Sequence, residues 1–306
     1  MRLAYVVVGN GAPELALWED PEVVLVGRVW PADAPVPSEP MALIAGGPAA
    51  LEAAARAVRA AAGRRDLRRP ADAVTVLAPV PHPPRIFALA RNYRAHAIER
   101  GGLAEREGTL PQVFLKPGAS TLNHHLGEIE LGPESVFPDY EAELAVVIGR
   151  GGRAIPEACA LEHVFGYTAA NDVTERRLHG GRAGRKAAER DEFFDWLNGK
   201  WLDGSCPIGP CLVTADEIPD PAALRITCHI NQELRQDERA GNMIHKIPAI
   251  LAFLSGYLAL RAGDVILTGT PVGVGKPLGK PLRDGDVITT EISGIGRLVN
   301  PVRARP

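Results

Sequence analysis

Glycine and proline recur along the whole chain and limit how long any helix or strand can run. The 306 residues include 32 glycines and 27 prolines. Proline removes a backbone hydrogen-bond donor, and glycine weakens helices and strands because it loses the most conformational freedom on ordering. The segments between them are short, and many are rich in the β-branched residues that favour strands. We therefore expect a strand-rich body with many turns, long enough to bury a substantial core.

A proline-rich segment divides the chain. Residues 79–84 read Pro-Val-Pro-His-Pro-Pro, and this density of proline favours an extended linker over a helix. We place a domain boundary there. Residues 1–78 are expected to form a small N-terminal α/β accessory domain, and residues 79–306 the larger, main domain.

The accessory domain carries no chemical signal. Its pattern predicts short strands near residues 2–8 and 23–29 and a helix near residues 49–62. The helix is rich in alanine and arginine, which are good helix formers but suggest no site.

Charge and cysteine content exclude several classes of protein. The chain has 34 basic and 37 acidic residues and a net charge of −3, which gives no support for binding nucleic acid or an anionic membrane. The four cysteines lack the spacing of a zinc site or a disulfide framework. The N-terminal apolar stretch is too short for a signal peptide, and no apolar run approaches the roughly 18 residues of a membrane span. We expect a cytoplasmic protein with neither nucleic acid nor a membrane as partner.

Two glutamates alternate along the most informative strand of the sequence. Residues 139–149 read Asp-Tyr-Glu-Ala-Glu-Leu-Ala-Val-Val-Ile-Gly, and the β-branched second half favours a strand. The side-chain period of two places Glu141 and Glu143 on one face. Two neighbouring carboxylates repel each other unless a cation or solvent intervenes, and Mg²⁺ prefers such oxygens. The alternative is an ordinary solvated strand face.

A third carboxylate, Asp172, ends a strand in the segment Ala170-Asn171-Asp172-Val173-Thr174. Three carboxylates suit a metal site with protein on one side and substrate on the other. Taken alone, Asp172 is somewhat more typical of the N-cap of a following helix.

Five further residues suggest proton transfer or anion binding. His96 and Glu99 are three apart, so on a helix they share a face and the carboxylate can orient the imidazole. Lys200 lies among aromatic residues, either buried and directed at an anionic oxygen or only extending past the rings. Arg91 and Lys116 flank apolar strands and are able to hold a carboxylate, although solvated strand ends are common.

The loop at 268–275 reads Thr-Gly-Thr-Pro-Val-Gly-Val-Gly. It lacks the lysine and the glycine spacing of nucleotide-binding loops. Its backbone N–H groups suit a carboxylate, and a plain turn is the alternative. The sequence also lacks a G-x-S-x-G elbow or a reactive-cysteine signature, which disfavours serine and cysteine hydrolases.

From about Arg85 to Val302 the sequence resembles the fumarylacetoacetate hydrolase family, with several motifs in the family's order. The motifs are Arg91-Asn92-Tyr93 with His96 and Glu99, Phe114-Leu115-Lys116-Pro117, Tyr140-Glu141-Ala142-Glu143-Leu144, Asn171-Asp172-Val173-Thr174, Gly199-Lys200, Gly263-Asp264-Val265-Ile266 and Gly269-Thr270-Pro271-Val272-Gly273-Val274-Gly275.

The resemblance implies a strand-rich α+β fold, a mixed β-sandwich roll that is usually dimeric, with residues 79–306 as the catalytic domain. It also implies the following site. Mg²⁺ or Mn²⁺ is held by Glu141, Glu143 and Asp172. A His96–Glu99 dyad lies on a mobile lid, and Lys200 touches the substrate's oxygens. The substrate is bound by Thr270, with Arg91, Tyr93 and Lys116 as further substrate-binding candidates.

The sequence departs from the family pattern after Asn-Asp-Val-Thr. The usual Ala-Arg-Asp reads Glu175-Arg176-Arg177 here, so Arg177 replaces an acid near the site. We interpret this change as favouring a more anionic substrate.

The expected function is hydrolysis of a C–C bond in a 2,4-dioxo acid of the acylpyruvate or fumarylpyruvate type, through a metal-stabilised enolate. The same enolate serves a 2-hydroxyhepta-2,4-diene-1,7-dioate isomerase or a 2-oxo acid decarboxylase. A metal-binding protein with a degenerate site is the third alternative, although the carboxylates, His96 and Lys200 are all present.

Overall fold

Most of the regular structure is β-strand, as the glycine and proline pattern predicts. The computed structural model describes residues 1–37, 39–99, 101, 105–178, 184, 186 and 188–305. The strands are β1 Arg2–Val8, β2 Glu14–Glu19, β3 Glu22–Val24, β4 Arg68–Pro70, β5 Val74–Leu77, β6 Ile86–Ala90, β7 Gln112–Lys116, β8 Leu122–Asn123, β9 Ile129–Leu131, β10 Pro138–Asp139, β11 Ala142–Ile148, β12 Val164–Asn171, β13 Thr174–Glu175, β14 Cys206–Thr214, β15 Arg225–Ile230, β16 Glu233–Arg239, β17 Val265–Leu267, β18 Val287–Ile292 and β19 Gly296–Ala304. The α-helices are α1 Pro40–Ala45, α2 Gly47–Ala61, α3 Arg94–Glu99, α4 Asp191–Asn198, α5 Ile247–Tyr257 and α6 Gly275–Leu278.

Two mixed sheets form the body of the protein. The larger has 12 strands, in the order β4-β3-β2-β1-β14-β12-β11-β17-β6-β7, with β5 paired to β1 and β8 to β14. The smaller has five, in the order β16-β15-β18-β19-β9. Apolar side chains from both sheets share one core, including Leu144 of β11, Ile226 of β15 and Leu298 of β19. The strand-rich α+β fold class is confirmed.

Strand β11 is buried on both faces, which explains its nearly continuous apolar composition. Leu144 and Val146 face the smaller sheet's core, whereas Ala145 and Val147 join a second core with Leu43 of α1. Because successive side chains alternate, the strand can bury two apolar faces and still present Glu143 near its beginning.

The N-terminal region extends the larger sheet. Strand β1 pairs antiparallel with β14, with Leu3 opposite Leu212. The predicted helix forms as α2, and the predicted strand near 23–29 ends at Val24 and continues as a short 3₁₀ helix, Val26–Val29. The independence of residues 1–78 as a domain stays a prediction.

Four chain segments meet at one end of four adjacent strands inside the larger sheet. Asn171, at the end of β12, lies opposite Ala142, the first residue of β11. Strand β17 runs antiparallel to β11 and parallel to β6. The beginning of β11 and the ends of β12, β17 and β6 are therefore neighbours, which brings the predicted site residues together.

The structure also bears on membrane insertion. Within the described ranges, no helix combines the length and apolar composition needed to cross a bilayer.

Candidate metal centre and active site

Glu141, Glu143 and Asp172 meet as the sequence predicts. Each offers a carboxylate oxygen, and these oxygens lie within 4.8 Å of one another. All three residues are buried. Asp172 is followed by strand β13, Thr174–Glu175, so the alternative that it caps a helix is wrong. The cluster is the donor set that a hard divalent cation prefers.

Protein cations already neutralise two of these carboxylates. Lys200 Nζ lies 2.6 Å from Glu141 Oε2 and 2.7 Å from Asp172 Oδ2. Lys116 Nζ lies 2.7 Å from Asp172 Oδ1, and Arg176 pairs with Glu141 on its other oxygen. Burial opposes ionisation of Glu141, but Arg176 and Lys200 outweigh it and lower its pKa to about 2. Glu141 is therefore ionised and able to bind a cation at neutral pH.

Glu143 is different, because its carboxylate receives little compensation from the protein. Its Oε2 accepts a 2.6 Å hydrogen bond from the Gly269 N–H, while Oε1 is buried without a hydrogen-bond partner among the described residues. Burial, reinforced by the charges of Asp172 and Glu141, holds the pKa of Glu143 well above its usual range. A buried carboxylate oxygen without a partner is costly. Its position beside two ion-paired carboxylates fits a divalent cation held by Glu141, Glu143 and Asp172.

The predicted dyad forms on helix α3. His96 Nδ1 lies 3.5 Å from Glu99 Oε2. The His96 side chain is buried, and it lines the same cavity as Glu141. The imidazole can therefore exchange a proton with a molecule in the cavity while Glu99 orients it.

A cavity of about 890 Å³ adjoins the carboxylate cluster. One part of its wall is cationic and another is aromatic. The cationic residues are Arg91, Arg176, Lys200 and Lys276, and the aromatic ones are Phe114, Phe193, Trp196 and Trp201. Lys200 Nζ also lies 5.4 Å from the centre of the Phe114 ring. The wall suits an organic anion with an apolar portion.

The structure places two predicted substrate-binding residues behind the cavity wall. Tyr93 is fully buried in the hydrophobic core, and Lys116 is buried with its Nζ bonded to Asp172 and to the Lys200 carbonyl at 2.7 Å. Neither is among the residues lining the cavity. We assign both to positioning rather than to substrate contact.

The contacts of two other residues, Thr270 and Arg177, give little support to their expected roles. Thr270 does line the cavity, but its hydroxyl donates to the Ala142 carbonyl at 2.9 Å and accepts from Gln236 at 2.8 Å, so that hydroxyl is already engaged. Arg177 is exposed and lies over the Phe137 ring at 5.7 Å, outside the cavity lining. Its predicted effect on substrate choice has no contact to support it.

Sequence reasoning missed Asp139 and Arg176. Asp139 is fully buried and accepts hydrogen bonds from the N–H groups of Gly275 at 2.6 Å and Tyr140 at 2.9 Å. Its other oxygen holds Arg176 Nε at 2.9 Å, and Arg176 in turn binds Glu141. Asp139, the acid two residues before Glu141, was visible in the sequence, but Arg176 and Gly275, which bind it, lie far away in the chain.

The chain is similar to several known enzymes. Residues 85–303 match the fumarylacetoacetate (FAA) hydrolase C-terminal family. The oxaloacetate tautomerase YisK of Bacillus subtilis is 42% identical over 234 residues, which are 75% of this chain and 73% of that protein.

Two solved structures are similar over the whole chain. Maleylpyruvate hydrolase from Sphingobium sp. SYK-6, in complex with manganese(II) and pyruvate, superposes with a TM-score of 0.77 at 29% identity and full coverage of both chains. The 2-hydroxyhepta-2,4-diene-1,7-dioate isomerase from Mycobacterium marinum has a TM-score of 0.70 at 27% identity, covering 100% of this chain and 99% of the other. The resemblance noted in the motifs is thus confirmed, and the chain belongs to the fumarylacetoacetate hydrolase family.

Proposed function

We propose that the protein catalyses a divalent-metal-dependent keto–enol tautomerisation of a 2-oxo dicarboxylic acid of the oxaloacetate class. The observation that carries this proposal is the shared cavity of Glu141 and His96. A cation-binding carboxylate and an acid–base imidazole around one space are what proton transfer next to a carbonyl requires. The similarity to an oxaloacetate tautomerase supports the same reaction.

The proposed cofactor is Mg²⁺ or Mn²⁺. Three carboxylate oxygens within 4.8 Å of one another suit either ion. When bound, the ion supplies Lewis-acid polarisation of the substrate's 2-oxo group.

The His96 imidazole carries the proton in the proposed reaction. It removes a proton from the carbon next to the carbonyl, and the electron pair of that C–H bond forms the C=C bond of the enol. The carbonyl oxygen takes a proton from water, and the protonated imidazole returns its proton to solvent, so the reaction is a net shift of one hydrogen without oxidation or reduction. Glu99, 3.5 Å from His96 Nδ1, orients the ring and stabilises its protonated form.

Cationic side chains favour a substrate with two carboxylates. Arg91, Arg176 and Lys276 line the cavity. Arg176 is already paired with Asp139 and Glu141, and Lys276 Nζ lies 3.4 Å from Glu192 Oε1. We therefore propose Arg91 as the main contact for the distal carboxylate, with Lys276 as a second contact that it would share with Glu192. The guanidinium of Arg91 can bind a carboxylate through two parallel hydrogen bonds.

Hydrolysis of a C–C bond in an acylpyruvate is the second candidate. The observation that favours it is the aromatic wall of Phe114, Phe193 and Trp196, which would accept an acyl group much larger than oxaloacetate offers. In this reaction His96 activates a water molecule that attacks the distal carbonyl, the C–C bond breaks, and the pyruvate fragment leaves as its enolate and is then protonated. A similar enolate would arise by loss of CO₂ from an oxaloacetate-like acid, and an isomerase would reprotonate a dienol at another carbon.

The test compares two substrates with purified protein, with Mg²⁺ and again with chelator. The decay of oxaloacetate enol is followed by its ultraviolet absorbance, and acylpyruvate cleavage by proton NMR of released pyruvate. Metal-dependent acceleration of enol decay without cleavage supports the tautomerase. Cleavage of acylpyruvate supports the hydrolase, and the absence of both reactions would favour a binding protein.

A further inference from the structure

A second cavity lies apart from the candidate active site. Its volume is about 420 Å³, and it is lined by residues of the β15–β16 turn, by Tyr140 and by the segment after α6. The two cavities share no lining residue. A ligand here would therefore be distinct from the substrate.

Arg235, on β16, is the unusual residue of this cavity. Its side chain is only 10% exposed, and one nitrogen, Nη2, lies 2.9 Å from Glu233 Oε2. The other two nitrogens, Nε and Nη1, are buried and have no hydrogen-bond partner among the described residues. Guanidinium N–H groups buried without an acceptor are destabilising. The fold retains a cation whose donors are satisfied only in part, by Glu233 and by a weak contact with the Tyr140 hydroxyl.

The surrounding charges do not neutralise Arg235. Lys280 Nζ shares the same carboxylate, 2.8 Å from Glu233 Oε1, so one acid serves two cations. Arg283 adds a third positively charged side chain to the cavity wall. Among its described residues the wall has only two carboxylates, those of Glu233 and Asp286. Asp286 is engaged with the Arg283 N–H at 2.8 Å and with Asn231 at 2.9 Å.

The positive charge of Arg235 acts on the hydroxyl of the neighbouring Tyr140. Burial raises the pKa of the Tyr140 hydroxyl, while the Arg235 charge opposes that rise. The hydroxyl itself donates to the Gly273 carbonyl at 3.0 Å. Tyr140 is a neutral wall of the cavity and supplies no compensating charge at neutral pH.

We propose that this cavity binds a small oxyanion, a phosphate or carboxylate group, with Arg235 as its principal ligand and Lys280 as a second. The group would accept hydrogen bonds from the guanidinium after a small side-chain movement, and its negative charge would neutralise the excess positive charge of the wall. The volume leaves room for the organic portion of a small metabolite beyond the charged group.

The test is calorimetric titration of the metal-loaded protein with inorganic phosphate and, separately, with succinate. Each titration is repeated in Glu143→Gln, where binding at the metal centre is impaired. We expect one site that persists in Glu143→Gln and prefers one of the two anions, which identifies the source. Arg235→Met should weaken its binding by about 10- to 100-fold, the range for charge-assisted hydrogen bonds. Arg239→Met is the matched control, since Arg239 is exposed on the same strand and outside both cavities, and it should bind as wild type does.

Unchanged binding in Arg235→Met, or no binding to Glu143→Gln, would overturn the proposal. So would dissociation of an oligomer by Arg235→Met, because a carboxylate of a second copy would then occupy the cavity. If Arg235→Met does not fold, Arg235→Lys and Lys280→Met replace it. Each should weaken binding several-fold, and wild-type affinity in both would equally overturn the proposal.

Discussion

Three buried carboxylates meet in the site, and they differ in how far the protein compensates their charge. Glu141 and Asp172 are ion-paired with Lys200, Lys116 and Arg176, whereas within the described part of the chain Glu143 has a backbone N–H and no ion pair. A divalent cation would complete the coordination of Glu143 and relieve its repulsion from the other two. Metal binding and activity should therefore depend together on this side chain.

Replacing Glu143 by Gln should remove metal binding and activity together. The change keeps the shape of the side chain but removes the charge that the cation needs. Thermal unfolding with and without Mg²⁺ measures binding through the stabilisation that a ligand confers. Glu134→Gln, at an exposed position, is the control and should respond to Mg²⁺ as wild type does. If Glu143→Gln is stabilised equally by Mg²⁺, Glu143 is not a ligand.

The metal-free protein should lose stability as the pH rises. The folded pKa of Glu143 is held well above the ordinary value of 4.5, so above that value the folded state binds more protons than the unfolded state. The free energy of unfolding should fall as the pH rises from the ordinary value through the folded pKa. Denaturant unfolding in chelator from about pH 5 to about pH 8 measures this. The slope should shrink in Glu143→Gln, and an equal slope in both proteins would contradict the account.

His96→Ala should slow turnover while leaving metal binding intact. Loss of a general acid–base group typically costs about 10²- to 10⁴-fold in rate, and His96 is not one of the three proposed ligands. The measurement is kcat with saturating metal, alongside metal titration of the same variant. His82→Ala, at an exposed position, serves as control. A near-normal rate would remove His96 from the mechanism.

The site side chains are positioned by the ends of strands and by one glycine-containing loop. The metal-ligand candidates lie at the beginning of β11 and just beyond β12, while the loop after β17 brings the Gly269 N–H to Glu143. Gly269 has φ of +92°, and a Cβ there would lie 2.8 Å from the Asn92 Cβ. Glycine is required at this point both by the backbone conformation and by the close approach.

Gly269→Ala should destabilise the protein and weaken metal binding. Gly279→Ala is the matched control, because Gly279 has φ of +65° but open space around its Cβ position. The control should cost about 1–2 kcal/mol for backbone strain alone. Gly269→Ala should cost about 1–3 kcal/mol more through the clash, as measured by denaturant unfolding. Equal destabilisation by the two substitutions would argue against the close approach.

Local patterns in the sequence predict what lies close in the chain. Period two places Glu141 and Glu143 together, and the three-residue spacing places His96 beside Glu99, as observed. The pairing of Arg176 with Asp139 depends on a 37-residue separation. Tyr93 and Lys116 belong to motifs near the site, but only the packed structure decides that they face away from the cavity.

At the scale of the whole protein, the ends of adjacent strands in the larger sheet bring together site residues from distant segments of the chain. The ends of β6 and β17 meet the beginning of β11 there, and the N-terminal strands continue the same sheet on its far side through β1 and β14. The cavity at Arg235 lies apart from these strand ends and shares no lining residue with the active-site cavity. A homodimer remains a prediction of the family resemblance.

The most direct test of the account is exchange of the carbon-bound protons of oxaloacetate with D₂O, followed by proton NMR. The account predicts that the protein with Mg²⁺ accelerates this exchange above the spontaneous rate, and that chelator, Glu143→Gln and His96→Ala each abolish most of the acceleration. Exchange at the spontaneous rate with fully metal-loaded protein, or acceleration that survives chelator, would contradict it.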